Sequence, residues 1–145
     1  MRVRKTMVGF LGILLLFLLA EPVACAGELI VIANNSVPVD SLDRTTISNI
    51  YMGNKTKWDN GETIRVVMLK KGPTHEMFAR EIVGTTPAKL KNLWKKAIFG
   101  GTGRPPKIFK TDAEVIEYVA STGGAIGYVD AASSHGEAKV ILINP

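Results

Sequence analysis

Residues Ile64 to Phe78 read IRVVMLKKGPTHEMF, and the reading of this stretch decides the fold. Ile64, Val66, Val67, Met68 and Leu69 are too few for a helix of ordinary length and rich in β-branched residues, which predicts a buried strand. Gly72 and Pro73 stop it. Thr74 is then placed to cap a helix whose inner face carries Met77, Phe78 and Ile82, since its side-chain oxygen would accept from a backbone N–H that has no partner within the helix. A strand, a glycine-containing turn and a helix start in that order aim free N–H groups and the positive end of a helix dipole at one point, beside Lys70 and Lys71. Such a point suits a small anion; the plain alternative is a strand-to-helix turn with two solvated lysines.

Upstream, Glu28 to Ala33 (ELIVIA) reads as a first strand closed by Asn34, Asn35 and Pro38. Asp40 to Asp43 leads into a helix with Leu42, Ile47, Ile50 and Tyr51 on its apolar face, Asp43 as N-cap and Gly53 as its left-handed terminator. Trp58, alone in the turn-forming run Asn54 to Gly61, reads as an aromatic plug over the core edge. Downstream, Thr86-Pro87 opens a helix with the stripe Leu90, Leu93, Trp94, Ala97 and Ile98. The loop from Gly100 to Pro106 follows a helix and lacks the Lys-Ser/Thr ending of a phosphate-binding loop, which excludes that motif. Thr111-Asp112-Ala113-Glu114 is a capping box before Val115, Ile116 and Val119, and Ala125 to Val129 and Val140 to Ile143 read as two further strands. The order β, α, β, α, α, α, β, β predicts an α/β layer: a mixed, mostly parallel sheet flanked by helices.

The chain of 145 residues has room for one domain, and its first part is expected to lie outside that domain. Arg2, Arg4 and Lys5 precede the apolar run Met7 to Ala20, and Ala24-Cys25-Ala26 offers small residues where a signal peptidase cuts; residues 1–26 therefore read as a secretory signal peptide and 27–145 as the domain. The uncharged run is short of the roughly 20 residues needed to span a bilayer. Pro22 stands where a lipoprotein signal wants a branched apolar residue before its cysteine, so lipid anchoring at Cys25 is the lesser reading, and a periplasmic or secreted protein is expected. The remaining chain holds no cysteine, hence no disulfide, thiolate metal site or thiol nucleophile. It carries 15 basic and 12 acidic residues, spread among one another. That excludes the concentrated basic face of a nucleic-acid binder.

His75 and His135 stand apart from any zinc-ligand spacing, Ser133-Ser134-His135 lacks a nucleophile elbow, and Asp112, Glu114 and Glu117 are accounted for by a helix N-terminal half. No enzyme, metal or cofactor is implied.

Several motifs together resemble the phosphate-binding-protein-like family of ABC-importer substrate-binding proteins. The family's helix ending in Phe/Tyr-x-Gly-Lys with a following Trp is matched by Ile50-Tyr51-Met52-Gly53-Asn54-Lys55 and Trp58; its Trp, Phe-x-Gly and Pro-Pro pattern by Trp94, Phe99, Gly101, Pro105 and Pro106; its Gly-Ala-Ile-Gly-Tyr signature by Gly124-Ala125-Ile126-Gly127-Tyr128. The resemblance implies a type 2 periplasmic-binding fold, secretion and oxyanion binding at the cleft. It also marks two departures. The chain resembles one lobe plus a hinge strand, and where the family carries an arginine and then Ser-Gly-Thr, this chain has Lys70-Lys71-Gly72-Pro73-Thr74. The expected ligand is phosphate or a similar oxyanion, held weakly by Lys70, Lys71, Gly72, Thr74 and His75. The competing expectation is a ligand-free interaction module docking on an envelope protein. A homodimer that rebuilds a cleft, and an ABC permease as partner, are left open.

Overall fold

The computed structural model describes residues 28–101 and 104–145. The expected leader, Cys25 and the centre of the Gly100–Pro106 loop lie outside the described residues. Six strands form one sheet: β1 (Leu29–Ala33), β2 (Ser41–Asp43), β3 (Arg65–Leu69), β4 (Lys107–Phe109), β5 (Ala125–Asp130) and β6 (Lys139–Asn144), in the spatial order β2-β6-β1-β5-β3-β4. β3 runs parallel to both β4 and β5, and β2 parallel to β6, whereas β1 is antiparallel to β5 and β6. The expected mixed α/β layer is the observed one. Its sheet centre is β5, in which Ala125 to Val129 are all buried. A strand covered on both faces has no polar side, which is why AIGYV reads as an unbroken apolar run.

Of the helices α1 (Arg44–Tyr51), α2 (Pro73–Met77), α3 (Pro87–Phe99) and α4 (Asp112–Ser121), α1, α3 and α4 start where the sequence signals them. The Asp43 carboxylate accepts from the Thr46 N–H at 2.7 Å, the Thr86 hydroxyl from Lys89 N–H at 3.2 Å, and Thr111 with Glu114 forms the reciprocal capping box. α2 continues without a break into a π-helical segment, Phe78–Val83, which ends at Gly84. The wider turns bury Phe78, Ala79, Ile82 and Val83.

Two short strands depart from the expected order. β2 falls in the lead-in Asp40 to Asp43, and β4 falls where no element is expected. Three residues carry too little alternation for a period-two signal, and both strands sit on the sheet edges where burial demands little of them. Ile98, expected in the core stripe, is 46% exposed, while Leu90 and Trp94 on the same helix are buried.

The signature Gly124 to Tyr128 has a steric logic. A Cβ on Gly124, which sits at φ 75°, would lie 2.3 Å from the Thr63 carbonyl oxygen. One on Gly127 would meet Val115 Cγ1 at 3.0 Å. The first glycine lets β5 begin against the turn before β3; the second lets α4 lie close on the sheet. Trp58 is the expected plug, 3% exposed, with its indole N–H donating to the Gly124 carbonyl at 3.0 Å. Tyr51, Phe78 and Tyr128 pack ring on ring in the core, Phe78 stacked on Tyr128 at 3.7 Å. Such aromatic pairs add about 0.5–1.5 kcal/mol beyond their area burial.

Candidate functional site

The expected anion point lies at the C-terminal end of β3, where the chain passes through Lys70 and Lys71 into α2. The Lys70 N–H donates to the Phe109 carbonyl at 2.8 Å, so β4 ties down the strand end up to the turn. Gly72 follows at φ 108°, ψ 173°, a conformation that favours glycine, and it occupies the N-cap place. Thr74 is therefore not the cap. Proline's fixed φ and missing N–H suit the first helical position, so Pro73 takes that place and moves the cap back to Gly72.

A glycine cap has no side chain to offer, and the helix start carries no side-chain cap bond. The first backbone hydrogen bond of the helix runs from Glu76 N–H to the Gly72 carbonyl at 3.0 Å. The N–H groups of Thr74 and His75 are thus left without an acceptor among the described residues, as the geometry of a helix start requires. Lys70 and Lys71 are both exposed, and neither forms an ion pair among the described residues.

His75 is 5% exposed and lies against the core. Its Nδ1 is 2.5 Å from the Tyr128 hydroxyl oxygen, and the two rings stack with centroids 6.1 Å apart. The same hydroxyl accepts from the Leu69 N–H at 3.2 Å. A phenol has a single proton to give, and here its bond to Nδ1 requires that proton or the imidazole's own. With the Leu69 N–H already donating to the oxygen, the arrangement that uses the hydroxyl's donor sets Nδ1 as acceptor and leaves the N–H on Nε2. No sealed side-chain nitrogen or oxygen lacks a partner among the described residues, so Nε2, which has no protein partner, reaches solvent. Burial depresses the histidine pKa below its ordinary value, opposed by the nearby Glu76 carboxylate, and favours this neutral ring. Burial also raises the Tyr128 pKa, keeping the phenol protonated.

The structure thus brings Lys70, Lys71, Gly72, Thr74 and His75 onto one turn, with His75 drawn inward as part of its wall. Tyr128, which orients that histidine, is the residue sequence reasoning placed only in a strand. A tyrosine ending a run of small apolar residues was the available signal, but its partner lies 53 residues away. None of the five turn residues lines a cavity of about 790 Å³ that opens at the other end of β3 between α1, α3 and α4. Among the described residues no group of three or more His, Cys, Asp or Glu is placed to hold a metal ion.

A family model described as a PBP superfamily domain matches residues 19–141. No curated protein matches the chain. Among solved structures, the chain is similar to a putative phosphate ABC transporter substrate-binding protein with bound phosphate from Clostridium perfringens, at 22% identity and a TM-score of 0.64. It is similar also to an ABC-type phosphate transport receptor from Vibrio cholerae, at 19% and 0.61, and to PstS from Borrelia burgdorferi, at 14% and 0.64. Each likeness covers 81% of this chain but only 45%, 46% and 47% of those chains respectively. The chain spans less than half the length of the structures it matches, and at these identities the likeness speaks for the fold.

Proposed function

Since this chain belongs to the PBP superfamily, we propose that it is an exported solute-binding domain that takes phosphate or a similar tetrahedral oxyanion at the turn after β3. Lys70 or Lys71 supplies charge. The Thr74 and His75 amides, the Thr74 hydroxyl and the Nε2–H of His75 supply donors, and Gly72 lets the ligand approach the backbone closely. The observation that carries this reading is the uncapped helix start: donors in a row with no acceptor among the described residues, beside two unpaired cations. The choice of anion follows the phosphate bound by the Clostridium perfringens neighbour.

Binding is weak in this proposal. The turn is open, and a charge pair 4 Å apart in water is worth about 1 kcal/mol, against about 4 kcal/mol where protein partly encloses it. Export through cleavage of residues 1–26, a periplasmic location and service to an importer belong to the same proposal. The competing interaction module calls for an exposed apolar patch on the face a second lobe would cover. The exposed large apolar side chains are Ile98, Phe99, Ile108 and Leu142, on α3, β4 and β6, and of these Ile108 pairs with Met68 close to the turn.

A thermal-shift titration with inorganic phosphate and sulfate tests the reading. A ligand at a hundredfold excess over its dissociation constant adds about 2.7 kcal/mol of stability. A saturable upward shift that is lost in Lys70→Ala/Lys71→Ala supports the site, and no shift at millimolar anion rejects it.

A further inference from the structure

The cavity of about 790 Å³ at the N-terminal end of β3 has a one-sided charge pattern. Lys55, Lys57, Arg65 and Lys107 line it, with Arg104 at its margin, and no aspartate or glutamate is among its described lining residues. Lys55 is held by Asp59 at 3.3 Å, but Lys57, Arg65 and Lys107 have no carboxylate partner among the described residues. Glu62 lies in the adjoining cavity that Arg65 also lines, and its carboxylate accepts from the Ser36 hydroxyl at 2.8 Å.

The apolar part of the lining is the half-buried Leu93 and Ala97 with the edges of Ile64 and Trp94, each 7% exposed; Ile50 lies wholly beneath them in the core. Trp94 cannot swing away, because its indole N–H donates to the Tyr51 carbonyl at 2.8 Å and its ring lies 3.5 Å from the position a Cβ would take on Gly53. Tyr118, on α4, also lines this space, and its hydroxyl has no hydrogen-bond partner among the described residues. The volume falls within the range of about 300–1,000 Å³ typical of small-molecule sites.

We propose that this cleft is a second binding site, for an organic anion with an apolar body, such as a fatty-acid-like carboxylate. The apolar body lies on Leu93 and Ala97 and the edges of Ile64 and Trp94, and the anionic group meets Arg65 and Lys107, with the Tyr118 hydroxyl as a further donor. Burying the apolar body releases about 25 cal/mol per Å², while the unpaired cations select the sign of the head group. This site is independent of the oxyanion turn. The two lie at opposite ends of β3, about 13 Å apart at ~3.3 Å per residue.

The test is an NMR titration of the ¹⁵N-labelled protein with decanoate, kept below its micelle-forming concentration, with decyltrimethylammonium as a control of equal chain length. Saturable shifts are expected at the amides of Lys55, Lys57, Ile64 to Val66, Leu93, Trp94 and Lys107, and the cationic amphiphile gives none. Arg65→Glu/Lys107→Glu weakens decanoate binding by about tenfold or more, with its remaining amides undisturbed as evidence of folding; Tyr118→Phe, which keeps the ring, weakens it less. Lys70→Glu/Lys71→Glu leaves decanoate binding unchanged, so failure of the oxyanion reading is seen separately. The proposal is overturned if decanoate gives scattered or no shifts, if the cation competes equally, or if the Arg65/Lys107 reversal leaves the affinity as it was.

Discussion

The two ends of β3 present hydrogen-bond donors and positive charge in different ways. At the C-terminal end backbone amides, the Thr74 hydroxyl and one imidazole, placed by a glycine cap, a proline and a buried tyrosine hydroxyl, stand beside the exposed Lys70 and Lys71. At the N-terminal end the donors are long side chains, Lys57, Arg65 and Lys107, around an apolar floor. As proposed, the first place would select for shape and hydrogen-bond acceptors, and the second, being roomy, for sign of charge and for apolar area. Rigidity at the turn comes from the core, through Tyr128; the cleft depends on how α1, α3 and α4 stand around the start of the strand.

The sharpest way to break the comparison is to disturb the shared start of β3 and β5. Gly124→Ala would set a Cβ 2.3 Å from the Thr63 carbonyl oxygen at a backbone φ of 75°. It is expected to lower stability by about 3 kcal/mol or more, strain and overpacking together, and to disturb the cleft before the turn. An unfolding free energy from urea titration within about 1 kcal/mol of wild type would contradict the account of the glycine signature. Next in size is Tyr128→Phe, which removes one hydroxyl from between the Leu69 N–H and His75 Nδ1. Leaving both groups without that partner costs about 1–3 kcal/mol. The turn should lose phosphate affinity while the cleft keeps its decanoate response, and equal losses at both ends would dissolve the distinction.

Smaller again is the effect of charge at the turn. Lys70→Ala or Lys71→Ala should weaken phosphate about fivefold, matching the ~1 kcal/mol of a charge pair in water, and a calorimetric titration reads it. The smallest effect is that of pH. The folded pKa of His75 is depressed, so the unfolded chain binds the extra proton first as pH falls through about 6.5. Stability therefore falls with acidification from that point and levels off below the folded pKa. His75→Gln, which cannot titrate, should show a shallower fall between pH 7 and 5 than wild type; identical slopes would mean that the buried ring is not what titrates.

Local grammar was readable where one segment contains its own cause. Asp43, Thr86 and the Thr111 capping box act within a single turn of chain, and each helix begins where its cap says. The run Ala125 to Val129 announced a buried strand because both its faces are covered. Thr74 misled for a local reason too: two residues competed for the helix start, and proline at the first position outranked the hydroxyl. β2 and β4 were illegible because three residues on a sheet edge make almost no demand on side-chain type.

By itself the sequence determined the α/β alternation, the caps at Asp43, Thr86 and Thr111, and the family, since each is a matter of local hydrogen bonding or of patterns along neighbouring positions. The tertiary structure alone decided that Tyr128 holds His75, that Trp58 bonds Gly124, and that Lys57, Arg65 and Lys107 share one cleft. Those contacts join residues dozens of positions apart, and side-chain chemistry becomes a site only once packing has set its distances.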